Sequence, residues 1–323
     1  MTLDTTTLAR WLGVVVVTVE GTPTGGGWSN ETIFVRADEQ EMVVRLTPAD
    51  ASMFPTYDLA KQVRCLELAA AAKLPVPVVV GFEPDPSVLG RPFFVMQRLA
   101  GRVPADDDPP FTKAGFVFDA TESEQRMLCE TAVDHIAAVH TIEAPAFLTV
   151  GPTPGHHLAW CAELCSWAAI DHPDVLATHA ALAATVPPAQ DAPIGLLWGD
   201  ARPANMVLDD HFGIVGLLDW ELAGTGPGEL DLAWFCEMNR MRATGMDIAP
   251  LPGWLSDDAA WARWSAAVRR DPTHIDWYHR YNAYKVAVLL YLYLRVMIDK
   301  GRLPASHRLL RDNLATRRLQ QFD

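Results

Sequence analysis

The sequence predicts an α+β fold with two unequal lobes: a small, mainly β N-lobe with one main helix over residues 1–99, and a larger, mostly helical C-lobe over residues 100–323. The length of 323 residues exceeds the usual size of a single hydrophobic core, so two units are expected. Segments with strand character cluster before residue 99, whereas helical spacing dominates after it. The stretch between them, residues 100–110, is rich in Pro and Asp, which is typical of a junction.

The N-lobe pattern is strand, glycine-rich turn, strands, helix and strands again. Residues 11–20 are β-branched and run into the glycine-rich residues 21–30, and residues 32–46 read as two strands joined by a polar turn. Residues 57–73 have helical spacing and a composition of good helix formers, with many Leu and Ala. Strand character returns in residues 75–83 and 91–99.

The C-lobe pattern is a series of helices interrupted once by short strands. Thr121 or Ser123 can cap a helix that begins at residue 122, since either hydroxyl can accept from a free N–H of the first turn. Further helices are predicted for residues 157–169, 174–185, 228–243, 257–270 and 274–299, and short strands for residues 194–198, 206–209 and 213–218.

The composition excludes several classes of partner. Half of the residues are hydrophobic and a fifth are charged, the balance of a folded globular protein. The net charge of −14 argues against a nucleic-acid or anionic-membrane binder, since both require basic surface. The strongest apolar segment, residues 286–294, is too short to span a bilayer, and an odd number of five cysteines indicates reduced thiols. We therefore expect a cytoplasmic protein without a membrane, nucleic-acid or obligate protein partner.

Three polar side chains stand beside the short apolar strands of the C-lobe. Asp200 and Asn205 lie five residues apart across a loop, and Asp219 follows the last strand. If residues 206–209 and 213–218 pair as a hairpin, Asn205 and Asp219 come together and Asp200 lies one loop away. The alternative is that all three are ordinary turn residues, because Asp and Asn are common in turns. Their joint spacing favours a site, since unpaired polar groups near a core are costly.

The residue types of this cluster suit phosphoryl transfer. An Asp can accept the proton of a hydroxyl, while an Asn and a second Asp can ligate Mg²⁺. Oxygen ligands without His or Cys favour Mg²⁺ over zinc. A metal-dependent hydrolase could use the same carboxylates, although it would need no nucleotide-binding turn.

The sequence resembles the aminoglycoside phosphotransferase-like family, a branch of the small-molecule kinases with a protein-kinase-like fold that includes choline and homoserine kinases. Residues 199–205 ("GDARPAN") and 217–234 ("LLDWELAGTGPGELDLAW") resemble its catalytic loop and metal-binding segment. The resemblance covers roughly residues 8–240 and extends upstream to residues 25–35, 42–46, 74–80 and 85–103. It implies transfer of the γ-phosphoryl group of ATP or GTP to a hydroxyl of a small molecule.

The resemblance also implies individual roles. Asp200 matches the catalytic base, Asn205 and Asp219 match the Mg²⁺ ligands, and Asp231 matches an acidic position that braces the C-lobe. Arg202 either stabilises the transferring phosphoryl group or simply pairs with a carboxylate in its loop. The residues that match the nucleotide site are Gly25, Gly26, Gly27, Ser29 and Asn30 in the glycine turn, Arg45 on the phosphate-binding strand, and Gln97 and Leu99 in the hinge.

Three positions depart from the family pattern. Trp198 stands where the family usually has His; its indole only donates, so we expect a buried aromatic brace. Arg45 replaces the usual Lys, and Gln62 replaces the helix glutamate that pairs with it. We hypothesise that Asp58 or Gln62 orients Arg45, because both share one face of the predicted helix. These departures motivate the alternative of a nucleotide-binding pseudokinase without turnover.

Other candidates have two interpretations each. Glu221 either assists the metal or the substrate, or it lies in a surface turn. His157, Cys161 and Cys165 recur every four residues and could hold a metal, although helical Cys is more often a core residue. The aromatic stripe of the last predicted helix is either core or the wall of an acceptor pocket. The acceptor itself is open, since relatives act or are suspected to act on aminoglycosides, macrolides, amino alcohols and hydroxyacyl compounds.

Overall fold

The N-lobe is built on a five-stranded antiparallel sheet. The computed structural model describes residues 3–23, 29–50, 53–106, 109–148, 151–245 and 247–322. The strands are β1 (Val17–Gly21), β2 (Glu31–Ala37), β3 (Gln40–Leu46), β4 (Val79–Glu83) and β5 (Phe93–Gln97), in the spatial order β1-β2-β3-β5-β4. β3 lies at the centre of the sheet, where four of its five last side chains are apolar and buried and the fifth is Arg45. The sheet therefore delivers one buried cation to the interior.

Two helices accompany the sheet, α1 (Thr5–Leu12) and α2 (Leu59–Ala71). The sequence predicts strand over residues 11–20, and that is wrong at its beginning, because residues 11 and 12 complete α1 and β1 starts only at Val17. Asp4 caps α1 by accepting from the N–H groups of Thr6 and Thr7, and Gly13 ends it with a left-handed backbone, φ 71°. Tertiary contact fixes the helix as well, since its Trp11 indole donates to Glu83 at 2.9 Å.

The C-lobe is mostly helical. Thr121 caps α3 in a capping box with Glu124, as one of the two predicted caps. The helices are α3 (Glu122–Val139), α4 (Pro154–Trp167), α5 (Pro173–Ala184), α6 (Glu229–Gly245), α7 (Asp257–Val268), α8 (Ile275–Asp299) and α9 (Leu314–Leu319). The sequence prediction lacks α9, which is only six residues long.

Two small antiparallel pairs of strands lie within the C-lobe. β6 (Ile194–Leu197) pairs with β9 (Gly224–Pro227), and β7 (Met206–Leu208) pairs with β8 (Ile214–Leu217) as the predicted hairpin. β9 was not predicted, because its sequence of Gly, Thr and Pro lacks strand character. These pairs hold the loops before β7, after β8 and after β6 next to one another.

The hydrophobic core explains how the lobes are joined. One cluster lies between the N-lobe sheet and α1, whereas a larger cluster runs from α2 and the other sheet face into the C-lobe helices. The predicted fold class, α+β with two lobes, is confirmed; a lobe boundary between residues 99 and 100 stays a prediction. Among the described residues, no helix has the length and apolar character needed to cross a membrane.

Candidate active site

Asp200 lies in the loop between β6 and β7, and its carboxylate is held by several donors. It is 8% exposed. The Trp234 indole donates to Oδ1 at 2.9 Å, and Asn205 Nδ2 donates to Oδ2 at 2.8 Å. Arg202 Nε lies 3.0 Å from the same carboxylate. The carboxylate is therefore fixed in orientation before any ligand arrives.

Asn205 and Asp219 meet Asp200 as the hairpin pattern predicts. Met206 pairs with Leu217, and the Leu218 N–H donates to the Asn205 carbonyl at 2.8 Å, which places Asp219 at the end of β8 next to Asn205. Asp219 has a left-handed backbone, φ 58°, which turns the chain sharply after the strand. Because Asn205 Nδ2 donates to Asp200, its Oδ1 is the atom able to ligate a cation.

Asp231, at the start of α6, braces the backbone that carries Asp200. It accepts from the N–H groups of Trp198 at 2.7 Å and Gly199 at 2.9 Å. His140 Nε2 lies 3.2 Å from the same carboxylate, and the Trp264 indole donates to His140 Nδ1 at 2.9 Å. Since Nδ1 accepts, the ring proton is on Nε2 and points to Asp231. His140 thus belongs to the brace.

Trp198 occupies the position of the family histidine and is fully buried. Its indole donates to the Leu218 carbonyl at 2.8 Å, one residue before Asp219, and its ring lies 6.0 Å from the ring of Trp220. The predicted role of an aromatic brace agrees with these contacts. The indole connects the Asp200 loop directly to the Asp219 loop.

Arg45 extends from the N-lobe sheet to the segment that carries Asp219 and Glu221. Its Nη2 lies 2.6 Å from Asp219 Oδ1 and 3.7 Å from Glu221 Oε2. Its Nε is buried and, among the described residues, has no hydrogen-bond partner. Asp58 does not orient Arg45, because it caps α2 by accepting from the Lys61 N–H at 2.8 Å. Asp219 and Glu221 contact Arg45 instead, and an orienting role of the Gln62 amide stays a prediction.

Glu221 lies between the lobes with only 11% of its side chain exposed, so its interpretation as a surface-turn residue is wrong. Ser29 Oγ and Asn30 Nδ2 both donate to its Oε2, and Lys61 Nζ donates to its carbonyl oxygen at 2.6 Å. Burial and, after it, the nearby Asp219 carboxylate raise the pKa of Glu221 to about 7, against the opposing effect of Arg45. Of the predicted glycine turn, Ser29 and Asn30 are in the site, whereas Gly25, Gly26 and Gly27 lie outside the described residues.

Gln97 and Leu99 lie where the sheet passes into the C-lobe. The Gln97 N–H donates to the Val78 carbonyl at 2.8 Å, so this amide is already used within the sheet. Leu99 packs on the β7–β8 hairpin: a Cβ placed on Gly216 would lie 2.4 Å from its methyl carbon. Other backbone groups of the hinge would therefore have to meet a nucleobase.

Arg202 is held by two carboxylates, Asp200 and Asp106. Burial alone would lower the pKa of its guanidinium, but Asp200 and Asp106 together raise it above its ordinary value. Arg202 is thus a permanent cation next to the carboxylate of Asp200. This geometry shows the carboxylate pairing that the sequence offered as one of two interpretations.

Comparison with known proteins identifies the family. Residues 20–267, more than half of the chain, match the sequence profile of the phosphotransferase enzyme family. The chain belongs to this family. The predicted enzyme class, a small-molecule phosphotransferase acting on a hydroxyl group, is thereby confirmed.

This phosphotransferase has relatives among curated proteins and shares its fold with solved structures. The chain is 24% identical over 218 residues to mouse acyl-CoA dehydrogenase family member 10, a match that covers 65% of the chain and 19% of that protein. The chain spans about a fifth to a quarter of the length of the curated relatives it matches. It also resembles two solved structures in fold. They are a putative aminoglycoside phosphotransferase from Ralstonia eutropha (TM-score 0.76, 19% identity, 99% of this chain and 96% of that one) and ADP-bound aminoglycoside phosphotransferase APH(2'')-Ib (TM-score 0.54, 12% identity, 98% and 95%).

The three residues that the sequence offered as a second possible metal site are engaged in hydrogen-bond contacts with other groups. His157 Nε2 lies 2.9 Å from the Thr225 carbonyl, Cys161 lies 3.5 Å from the hydroxyl of Tyr281, and Cys165 lies 3.4 Å from another tyrosine hydroxyl. Within the described ranges, no group of three or more His, Cys, Asp or Glu side chains could hold a metal ion. All five cysteines are buried and unpaired. The aromatic stripe of α8 is core, since Trp277, Tyr281 and Tyr284 are buried.

Sequence reasoning did not find three residues of the site. Trp234 stands in the motif itself, "ELDLAW". From the sequence, its indole would be interpreted as a packing group, and only the structure shows that its N–H donates to Asp200. Lys285 Nζ donates to the Gly199 carbonyl at 2.8 Å from the middle of α8. Lys61 reaches Glu221 from α2. A lysine among aromatic and apolar residues in a predicted helix is the one local signal that could have pointed to Lys285.

Proposed function

We propose that this phosphotransferase moves the γ-phosphoryl group of ATP, or GTP, to a hydroxyl of a small molecule, with Asp200 as the base and Mg²⁺ on Asn205 and Asp219. The observation that carries the proposal is the convergence of these three side chains with Arg45 between the lobes. ADP is bound in a family structure of similar fold, which supports an adenine nucleotide as the donor. The family assignment by itself supplies the reaction class.

The donor set fits a hard divalent cation. Asp219 and the Oδ1 of Asn205 are oxygen ligands, and Mg²⁺ is usually held by one or two carboxylates together with substrate phosphates and water. Bound Mg²⁺ would neutralise phosphate charge. A cation on Asp219 would compete with Arg45 for that carboxylate, which favours a second partner for Arg45.

Arg45 has a group ready for such a partner. Its buried Nε, without a hydrogen-bond partner among the described residues, can donate to a phosphate oxygen together with the Nη2 that now contacts Asp219. A bidentate contact of this kind is what Arg offers and Lys does not. We therefore assign Arg45 to the phosphates, with Ser29 and Asn30 beside them.

Asp200 is assigned to the acceptor hydroxyl. With Trp234 on one carboxylate oxygen and Asn205 on the other, the carboxylate cannot turn away from an approaching alcohol. It orients the hydroxyl and accepts its proton as the oxygen attacks phosphorus. Arg202, held on Asp200 and Asp106, supplies positive charge near the transferring group.

The test is a coupled ADP-formation assay at saturating Mg²⁺·ATP with a panel of streptomycin, a macrolide, choline, ethanolamine and a 4-hydroxy acid. Binding of Mg²⁺·ADP is measured in parallel by thermal shift. We expect a shift in melting temperature and ADP formation above the water rate with at least one acceptor. Nucleotide binding without turnover over a broadened panel would instead identify a pseudokinase. Release of phosphate from a phosphate ester such as p-nitrophenyl phosphate, with no nucleotide present, would identify a hydrolase.

A further inference from the structure

We propose that Trp234 and Lys285 form a positioning pair that holds Asp200 and its preceding peptide from inside the C-lobe. The pair comes from two helices, α6 and α8, and acts on two successive residues, Gly199 and Asp200. The inference rests on the proposed role of Asp200 and adds to it the device that fixes this residue.

Trp234 provides the contact to the carboxylate. Its ring is 3% exposed, and its indole N–H donates to Asp200 Oδ1 at 2.9 Å. Asn205 donates to the opposite oxygen, Oδ2, at 2.8 Å. Each oxygen therefore has a neutral donor on a rigid element, so rotation about the Cβ–Cγ bond of Asp200 breaks one of them. A phenylalanine at position 234 would keep an aromatic ring at this place, but it is smaller and has no donor to fix Oδ1.

Lys285 provides the contact to the backbone. Its Nζ donates to the Gly199 carbonyl at 2.8 Å and lies 4.2 Å from the centre of the Trp234 ring. Gly199 has φ 87°, and a Cβ there would lie 2.0 Å from the Leu222 carbonyl oxygen, so this peptide has little freedom on its other side. Lys285 therefore fixes the carbonyl immediately before Asp200 and holds the Trp234 ring by a cation–π contact.

The cost of burying the charged Lys285 indicates that this side chain does more than fill space. It is 8% exposed in the middle of a long helix, and burial lowers the pKa of its ammonium group. In the described part of the chain, no carboxylate lies within 4.0 Å of it; its partners are a carbonyl and a ring face. A buried cation without an ion pair is expensive, and an apolar side chain of equal length would fill the space at lower cost. Cys161 of α4 and the carboxylates of Asp200 and Asp231 partly oppose this lowering of the pKa, and the two carboxylates belong to the Asp200 loop and its brace.

The first experiment reads the geometry without any turnover. The indole N–H resonances of Trp234 and Trp277 are compared in ¹H–¹⁵N spectra of the wild type, Asp200→Asn and Lys285→Met. Trp277 is the matched control, because it is also buried and its indole donates to a backbone carbonyl, that of Leu182, at 3.2 Å. We expect both substitutions to move the Trp234 signal and leave that of Trp277 in place. An unmoved Trp234 signal in Asp200→Asn would overturn the proposal, whether or not the chain is a kinase.

The second experiment separates positioning from folding. ADP formation is measured with water and with the best acceptor of the panel for Trp234→Phe, Trp277→Phe, Lys285→Met and Lys285→Arg, together with the melting temperature of each. Trp234→Phe should lower kcat roughly 10- to 100-fold, the size expected for one hydrogen bond to a charged group. The KM for Mg²⁺·ATP should change less than 3-fold, since the pair does not contact the nucleotide side. Trp277→Phe should lose comparable stability at nearly unchanged kcat.

The lysine variants complete the test. Lys285→Met should lower kcat in the same direction, and Lys285→Arg should recover most of it, because the guanidinium restores both the donor and the cation–π contact. Equal kcat in Trp234→Phe and Trp277→Phe at matched stability would refute the pair. So would a Lys285→Met enzyme with wild-type kcat. A wild type without any ADP formation would count against the proposed function alone, since the spectra decide the geometry separately.

Discussion

The two halves of the site are held by different forces. On the C-lobe side, most donors to Asp200 and Asp231 are neutral, namely indoles, an amide and backbone N–H groups, and Arg202 adds a charged contact to Asp200. On the N-lobe side, charge pairs that cross between the lobes hold the site, with Arg45 on Asp219 and Glu221. In the proposed mechanism, the first set orients the base, which has to remain in place. The second set neutralises groups that a magnesium nucleotide would need to engage.

This contrast explains which residues depart from the family pattern. Trp198, in place of His, still supplies a donor and thus preserves the C-lobe half. The exchange of Lys for Arg at position 45 preserves the charge, and Glu221 takes the role of the missing helix glutamate as a carboxylate near that cation. Lys61 on α2 then contacts the Glu221 carbonyl, so the helix still connects to the metal segment, but with the opposite charge.

The largest effect is expected from Asp200→Asn, which breaks the C-lobe half at its centre. Asn cannot accept the proton, and its amide would face the donors of Trp234 and Asn205. We expect kcat for ADP formation to fall at least about 1,000-fold, with the affinity for Mg²⁺·ADP changed less than about 3-fold, because Arg45 and Asp219 are intact. Titration calorimetry measures the affinity. Equal turnover in mutant and parent would remove Asp200 as the base.

The next effect is on the brace. Asp231→Asn replaces one accepting oxygen by an amide that faces the N–H groups of Trp198 and Gly199, so the free energy of unfolding should fall by about 3 kcal/mol. Urea denaturation measures this change. Asp312→Asn is the control, since Asp312 pairs with Arg317 on the surface and should cost less than about 0.5 kcal/mol. A brace mutant as stable as the control would contradict the assigned role of Asp231.

A smaller effect is expected on the N-lobe half. Arg45→Ala should raise the KM for ATP roughly 30-fold, because it removes a buried bidentate donor to the phosphates, and Arg45→Lys should recover only part of this. Arg36→Ala on the neighbouring strand is the control, since Arg36 pairs with Glu20 and Glu41 at the surface. Unchanged KM and kcat in Arg45→Ala would show that Arg45 does not bind phosphate.

The smallest effect is a pH dependence of the free energy of unfolding, and it arises in the C-lobe at His157. Burial lowers the pKa of His157 from 6.5 to about 4, and its Nε2–H contacts the Thr225 carbonyl. The unfolded chain therefore takes up this proton below pH 6.5 while the folded protein does not, so stability is full above pH 6.5 and is lost as the pH falls towards 4. Between pH 6.5 and 5.5, the wild type should lose roughly 1 kcal/mol more than His157→Gln. Parallel unfolding curves of the two proteins would contradict this assignment.

The sequence predicted those parts of the molecule that depend on local rules. The hairpin of β7 and β8, the Thr121 cap and the placement of Asn205 next to Asp219 follow from strand pattern and turn chemistry within a few residues. The contacts of Glu221 did not follow, because Ser29 and Asn30 lie more than 190 residues away. Lys285 and Gly199 are 86 residues apart. Periodicity cannot show which faces of distant helices meet the catalytic loop.

The beginning of the chain shows a different kind of error. The predicted strand over residues 11–20 begins too early, because Asp4 and Gly13 mark the two ends of a short helix that includes residues 11 and 12. The strand prediction rests on β-branched propensity and does not use these cap signals. Trp11, which packs on Phe93 of β5 at 4.9 Å between ring centres, adds a tertiary contact that propensity does not contain.

A crystal structure with Mn²⁺ and a non-hydrolysable ATP analogue tests the central claim most directly, because manganese gives an anomalous signal at the cation site. We predict that the anomalous peak places the manganese ion on the Asp219 carboxylate and Asn205 Oδ1, and that Arg45 moves from Asp219 to a phosphate oxygen. A peak elsewhere, or an Arg45 still paired with Asp219 beside a bound nucleotide, would contradict the account.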